Sequence, residues 1–321
     1  MSCPICANAA DNRVHEAREM MFGLRERFRY LECARCGCLA LLDAPADMSP
    51  YYPPAYYSLG GAPRALPQPL LVKGKRARTA ALLRAPAPVL DALARSGCVP
   101  ARMIWFAGLG LRSTSAICDV GSGDGEVLTW MLGQGFSNLA GFDPYLDGDL
   151  DIGGRVAIRR LGVAEMPGGW DLIMLNHSFE HMAEPASVLA HLQERLRPGG
   201  AVLIRVPVAD SWAWRTYGAD WVQLDAPRHL FLHTRRSLET LAERAGMAIE
   251  RVFFDSYALQ LWGSEQYRRD IPLRDPRSYA EDQGTALFSA AQLREFERRA
   301  RRLNRQRAGD SAGFVLRARA N

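Results

Sequence analysis

At 321 residues the chain is long enough for one full α/β domain and a smaller module, and its apolar and charged fractions, 48% and 23%, are those of an ordinary globular protein. No apolar run reaches the roughly 18–20 residues of a membrane span, and the N-terminus opens on a cysteine pair rather than a leader, so a cytoplasmic protein is expected. The net charge of +5 is carried almost wholly by arginine, Lys73 and Lys75 being the only lysines, and permits an anionic partner without arguing for nucleic acid.

Five of the seven cysteines lie in the first 38 residues. Cys3 and Cys6 form one CxxC turn and Cys33 and Cys36 a second, with 26 residues between them. Such a turn aims two sulfurs at one ion, so residues 1–42 read as a zinc ribbon with four thiolate ligands. Four thiolates leave no open position, which makes the zinc a structural staple rather than a catalyst. Cys38 reads as a spare thiol. Residues 43–69 are rich in proline and tyrosine, including Tyr56 and Tyr57, which either line a substrate cleft or pack the linker down. Residues 70–115 read as helices broken at Pro86, Pro88 and Pro100.

The segment from Ala116 onwards organises the rest. Ala116 to Val120 has the length of a buried parallel strand. Gly121, Gly123 and Gly125 follow at a spacing of two, where missing side chains let the backbone turn and a ligand approach. Glu126 to Leu132 then carries apolar residues at helical spacing, and a new helix N-terminus offers free N–H groups. Asn138 to Phe142 reads as a second strand ending at Asp143, 20 residues beyond Gly123. A Rossmann-like unit places a ribose-binding carboxylate there. The stretch after Pro144 to Gly154 is short and turn-rich, with a helix reduced or absent, and residues 156–158 form a weak third strand. Strand four covers residues 170–175, ending at Asn176. A helix follows over 184–197, stopped by Pro198-Gly199-Gly200, and strand five runs over 201–206. Thr234 caps a helix that Gly246 ends. Strands six (248–254) and seven (312–317) then enclose a helical insertion at 258–310. Trp212, Trp214, Tyr217 and Trp221 either stack on a sugar face or pack the core.

Taken together, D-V-G-S-G-D-G, G-F-D-P, W-D-L-I-M-L-N, F-E-H and L-R-P-G-G resemble the class I S-adenosylmethionine (SAM) dependent methyltransferases. The resemblance implies a Rossmann-like sheet of seven strands over residues 116–321, after the 1–42 ribbon and a linker-and-helix segment at 43–115. It implies SAM contacts at Asp119, Gly121, Ser122, Gly123, Gly125, Asp143, Pro144, Ala164 and Asn176. With its ribbon and tyrosine-rich linker, the chain looks like the zinc-containing sugar C-methyltransferases and their relatives in polysaccharide gene clusters. That likeness implies a small-molecule acceptor of sugar type, and catalytic roles for Tyr57 (or Tyr56), His181 and His229. The family's acid before the second histidine is Arg228 here, and the likeness does not extend to that family's long C-terminal domain.

Both histidines are expected at the carboxyl edge of the sheet, 48 residues apart in sequence, facing the methyl group of SAM; His177 and His233 match no such pattern. Some quinone O-methyltransferases carry E-x-x-E-H and bind a divalent ion where this chain has His177, Glu180 and His181. Two competing functions share these features. A zinc-ribbon rRNA base methyltransferase would fit the charge, but no N-P-P-Y-type motif or cysteine nucleophile follows strand four. A non-catalytic SAM-fold binding protein would not need both histidines.

Overall fold

The protein, a computed structural model, is described over residues 1–53, 69–284 and 287–319. Tyr56 and Tyr57 lie outside the described residues. Two compact units divide the chain: residues 1–53, 179–186 and 205–314 form the first, and residues 54–178, 187–204 and 315–321 the second. Among the described residues no helix is long and apolar enough to cross a membrane.

The N-terminal segment is a small antiparallel sheet. β1 (Arg13–Arg18) and β2 (Arg27–Glu32) form a hairpin, and β3 (Leu39–Leu41) pairs with the other side of β2. In β2 the exposed Arg27 and Arg29 alternate with the buried Phe28 and Tyr30, the period-two pattern of a strand with one wet face. Two helices follow, α1 (Pro69–Arg84) and α2 (Ala87–Arg95).

The second unit holds β4 (Ile117–Val120), α3 (Glu126–Gln134), β5 (Leu139–Phe142), β6 (Leu150–Ile152), β7 (Val156–Arg159) and β8 (Trp170–Asn176). β5 and β8 lie on either side of β4, both parallel to it, and β7 is parallel to β5. All four residues of β4 are buried, as expected for a strand covered on both faces. The chain runs from β4 outward through β5 and β7, then returns to β8 on the other side. The edge between β4 and β8 is therefore a topological switch point, where open α/β sheets bind ligands. Beside the sheet, Phe106 stacks on Trp130 at 6.3 Å and meets Phe136 at 5.2 Å. Complete burial of such a ring stabilises by about 1.5–3 kcal/mol.

After α4 (Pro185–Glu194) come β9 (Leu196–Pro207), α5 (Trp212–Tyr217), β10 (Phe231–Leu232), α6 (Arg235–Arg244), β11 (Met247–Phe254), α7 (Leu259–Arg268), α8 (Ala290–Arg305) and β12 (Ser311–Ala318). β10 pairs with β3, so the ribbon segment and the chain around residue 231 share one sheet. Thr234 caps α6 in a reciprocal arrangement with Ser237, and Gly246 follows the helix at φ 66°.

Two expectations need correction. The large sheet has eight strands, ordered β11-β12-β9-β8-β4-β5-β7-β6, and not seven. The additional strand is β6, antiparallel to β7: Gly153 and Gly154, at φ 60° and 67°, turn the chain back on itself where a reduced helix was expected. The helix over 184–197 ends at Glu194, and the Pro198-Gly199-Gly200 segment belongs to β9. Of the two readings of the aromatic residues, core packing holds: Trp214, Tyr217 and Trp221 are buried in the core of the first unit, with the Trp221 indole N–H donated to Asp310.

Candidate functional site

The glycine turn after β4 is built as a backbone cradle. Gly121, Gly123 and Gly125 have φ values of 73°, 51° and 79°, which L side chains rarely adopt. Gly121 is also sterically required, since a Cβ there would lie 2.4 Å from the Ser178 Cβ. Ser178 itself donates from Oγ to the Val120 carbonyl at 2.6 Å, tying the end of β8 to the end of β4. Gly125 is the N-cap of α3, so the cradle ends on the free N–H groups of a helix start.

Asp143, at the end of β5, is buried and accepts from the Gly123 N–H at 2.9 Å through Oδ2 and from the Tyr145 N–H at 3.0 Å through Oδ1. The carboxylate therefore fixes the turn as well as offering its remaining lone pairs. Asp119, in β4, is buried nearby, and its Oδ1 has no hydrogen-bond partner. Burial, reinforced by the neighbouring charges of Asp143 and Glu126, pushes its carboxyl up to about 8. The Ser122 Oγ is a second buried polar atom without a partner. Arg102 grips Glu126 in the first turn of α3 with two bonds, at 2.8 and 3.1 Å. Pro144 follows Asp143 directly, the Ala164 carbonyl accepts from Arg195 at 2.5 Å, and Asn176 ends β8. All nine residues expected to hold the cosubstrate thus belong to the second unit.

The two histidines belong to the first unit and come together there. Their rings lie 4.8 Å apart, centroid to centroid. His181 ends a short 3-10 turn, and its Nδ1 is 2.8 Å from the Arg228 carbonyl. The His229 Nδ1 is 2.8 Å from the Gln223 carbonyl. Carbonyls only accept, so both Nδ1 atoms carry the proton and both Nε2 atoms present a lone pair. Glu180 is fully buried, with Oε1 3.9 Å from the His229 Nε2. Burial, and then the His181 ring, lowers His229 to about 4. The Tyr52 hydroxyl stands 3.4 Å from the His181 Nδ1. By contrast His233 is buried between Phe179 and Phe231, at 5.1 and 5.7 Å, a core position.

The four ribbon cysteines also converge. Sγ atoms of Cys3 and Cys36 are 3.7 Å apart, those of Cys6 and Cys33 3.5 Å, and all four lie within 4.8 Å of one another. Thiolates about 2.3 Å from one tetrahedral zinc stand about 3.8 Å apart, so the donor set fits that ion. Cys38 is buried outside the set, its thiol 3.4 Å from the Leu39 carbonyl. Thr234, besides capping α6, donates from Oγ1 to the Cys36 carbonyl and so holds the second knuckle.

A methyltransferase domain family matches residues 74–252, more than half of the chain. The chain belongs to the SAM-dependent methyltransferases. A search of curated proteins finds no match. Among solved structures the methyltransferase resembles the cyclopropane synthase MmaA2 from Mycobacterium tuberculosis, at 16% identity and a TM-score of 0.41 over 64% of this chain and 79% of that one. It also resembles a SAM-dependent methyltransferase from Archaeoglobus fulgidus, at 16% identity and 0.40 over 73% and 95%. A third is the 1,6-didemethyltoxoflavin-N1-methyltransferase of Burkholderia thailandensis bound to S-adenosylhomocysteine, at 20% and 0.38 over 68% and 88%.

The glycine cradle fits the cosubstrate of this family. SAM is a cation, which would offset the Asp143 charge that, with burial, pushes the Asp119 carboxyl up; the orphaned Asp119 Oδ1 and Ser122 Oγ await polar partners.

Sequence reasoning missed the group that fixes the histidine loop of the methyltransferase. Arg228 is 1% exposed and bonds Asp225 at 2.6 Å, Glu19 at 2.8 Å and the Tyr51 carbonyl at 3.3 Å. Glu19 in turn accepts from the N–H groups of Met21, Phe22 and Leu24. This explains why an arginine precedes His229: its guanidinium ties the loop to the hairpin of β1 and β2. Its one mark in the sequence was an arginine, Arg228, where the resembling family has an acid.

Proposed function

We propose that this methyltransferase acts on a small molecule, a sugar or glycan precursor, and that His181 and His229 activate its nucleophilic atom. Bound SAM would supply an electrophilic methyl group to an acceptor that must be oriented and freed of a proton. The observation that carries the reading is the histidine pair: two imidazoles in contact, each with Nδ1 committed to a backbone carbonyl, which leaves each Nε2 as the nitrogen with a lone pair. Support for a sugar-type acceptor comes from the order of ribbon, tyrosine-rich linker and methyltransferase domain; Tyr57 enters on the same likeness. The fit of Cys3, Cys6, Cys33 and Cys36 to a tetrahedral ion supports a structural zinc. The cradle residues, Asp119 to Gly125 with Asp143, Pro144, Ala164 and Asn176, would hold the cosubstrate.

The test is a screen of sugar nucleotides and glycan precursors with methyl-labelled SAM. Once an acceptor is found, His181→Ala and His229→Ala should each lower turnover by about 10²–10⁴ with little change in SAM affinity. Near-normal turnover in both variants would overturn the assignment.

A further inference from the structure

The histidine pair has a third member, which the expected base chemistry does not use. Glu180 is adjacent to His181 in sequence and fully buried, and its ligand atom, with one from each histidine, falls in a set all within 4.8 Å of one another. The Glu180 Oε1 to His229 Nε2 distance is 3.9 Å, and the Asp225 Oδ2 lies at the same distance from that nitrogen. Oxygen and nitrogen donors about 2.0–2.2 Å from one ion stand roughly 3–3.7 Å apart, so the 3.9 Å pair needs a closure of a few tenths of an ångström and a pair at the 4.8 Å limit of the set a side-chain shift of about 1 Å.

The tautomers make the same point. Metal-binding histidines hold their second ring N–H on a carbonyl or carboxylate, which fixes the ring and turns the lone pair to the ion. Both rings here are held in that way, by the Arg228 and Gln223 carbonyls. Arg228 fulfils a second function in this arrangement. Its Nε and Nη2 groups bind the Asp225 carboxylate through bonds of 2.6–3.0 Å, which commits that carboxylate to the guanidinium and leaves Glu180 as the one grouped with the two histidines.

We infer that Glu180, His181 and His229 form a binding site for a divalent cation, distinct from the cysteine site. Two imidazoles and one carboxylate suit zinc, manganese, iron or cobalt, and are too nitrogen-rich to favour magnesium. Three protein ligands leave positions open, as in catalytic rather than structural sites. This rests on the reading of the pair as the place where the acceptor is activated, and it narrows the acceptor to one that offers an oxygen ligand. A hydroxyl bound there would lose its proton to solvent water more readily, because the cation stabilises the alkoxide left behind.

Cobalt(II) titration of the full chain, with the cysteine site already filled by zinc, tests the idea. The expected result is one further equivalent of cobalt, with weak visible bands of nitrogen and oxygen ligation and no thiolate charge-transfer band. Glu180→Gln, which keeps the side-chain volume, and His229→Ala should each weaken that binding at least about tenfold, while zinc content and SAM affinity stay unchanged and show the variants folded. If no second equivalent binds, the metal site is refuted, and a loss of turnover in the histidine variants would then leave the activation role to the free imidazoles. If cobalt binds equally well to the wild type and both variants, the site lies elsewhere and the inference falls. If cobalt binds as expected but the histidine variants turn over normally, the metal site stands and the proposed activation fails.

Discussion

Replacing Asp143 by Asn changes the charge at the end of β5 while keeping the volume, so it reads the cradle without opening a cavity. The carboxylate accepts from the Gly123 and Tyr145 N–H groups at 2.9 and 3.0 Å. An amide keeps only one oxygen, and its NH2 group must face a donor or solvent. At least one charge-assisted bond is therefore lost, worth about 1.5–3 kcal/mol. If the remaining lone pairs of Asp143 bind the ribose hydroxyls of SAM, a loss of that size raises Kd about 10- to 100-fold. Isothermal titration with SAM measures the affinity, and urea unfolding of the free protein reports the turn. A folded Asp143→Asn variant with unchanged SAM affinity would refute the ribose assignment; unchanged stability as well would show that the Gly123 bond contributes nothing.

Three other outcomes are expected. Cys36→Ser should release one zinc per chain, as read by elemental analysis, and leave SAM affinity intact because the cradle residues lie in the other unit; wild-type protein prepared without chelator that held no stoichiometric zinc would sink the ribbon. Glu19→Ala should cost about 3–5 kcal/mol in denaturant unfolding, since it strands part of a fully buried guanidinium and three backbone N–H groups; a loss below about 1 kcal/mol, the scale of an exposed pair, would show that Arg228 is compensated by other groups. Asp119 is held up to about 8, above its unfolded value near 4, so the folded free protein keeps a proton that the unfolded chain has released. Its stabilising contribution is complete below about pH 4 and is lost as pH rises through 8, with a slope of up to about −1.4 kcal/mol per pH unit between. Urea melts of Asp119→Asn should lack that slope, and SAM affinity of the wild type should rise over the same range if the cation binds the carboxylate; parallel pH profiles for the two proteins would contradict the assignment.

Local order was legible in the sequence wherever one short segment sets its own geometry. The two CxxC turns, the D-x-G-x-G-x-G run with an acid 20 residues after its second glycine, and the Thr234 cap each depend on a few consecutive residues, and the structure holds each of them. Period and spacing also gave the parallel strands around β4, since a strand covered on both faces must be apolar throughout. What the tertiary structure alone decided depends on partners far apart in the chain. β6 is only three residues, Leu-Asp-Ile, too short for its alternation to mark a strand, and exists because two glycines fold it onto β7. The four aromatic residues near position 217 suit a platform or a core, because a ring's area is useful in both places, and burial assigns Trp214, Tyr217 and Trp221 to the core. Glu19 and Arg228 are 209 residues apart, and each alone looks like an ordinary surface charge. Only the fold desolvates both at once, and a buried charge then has to find its counter-ion.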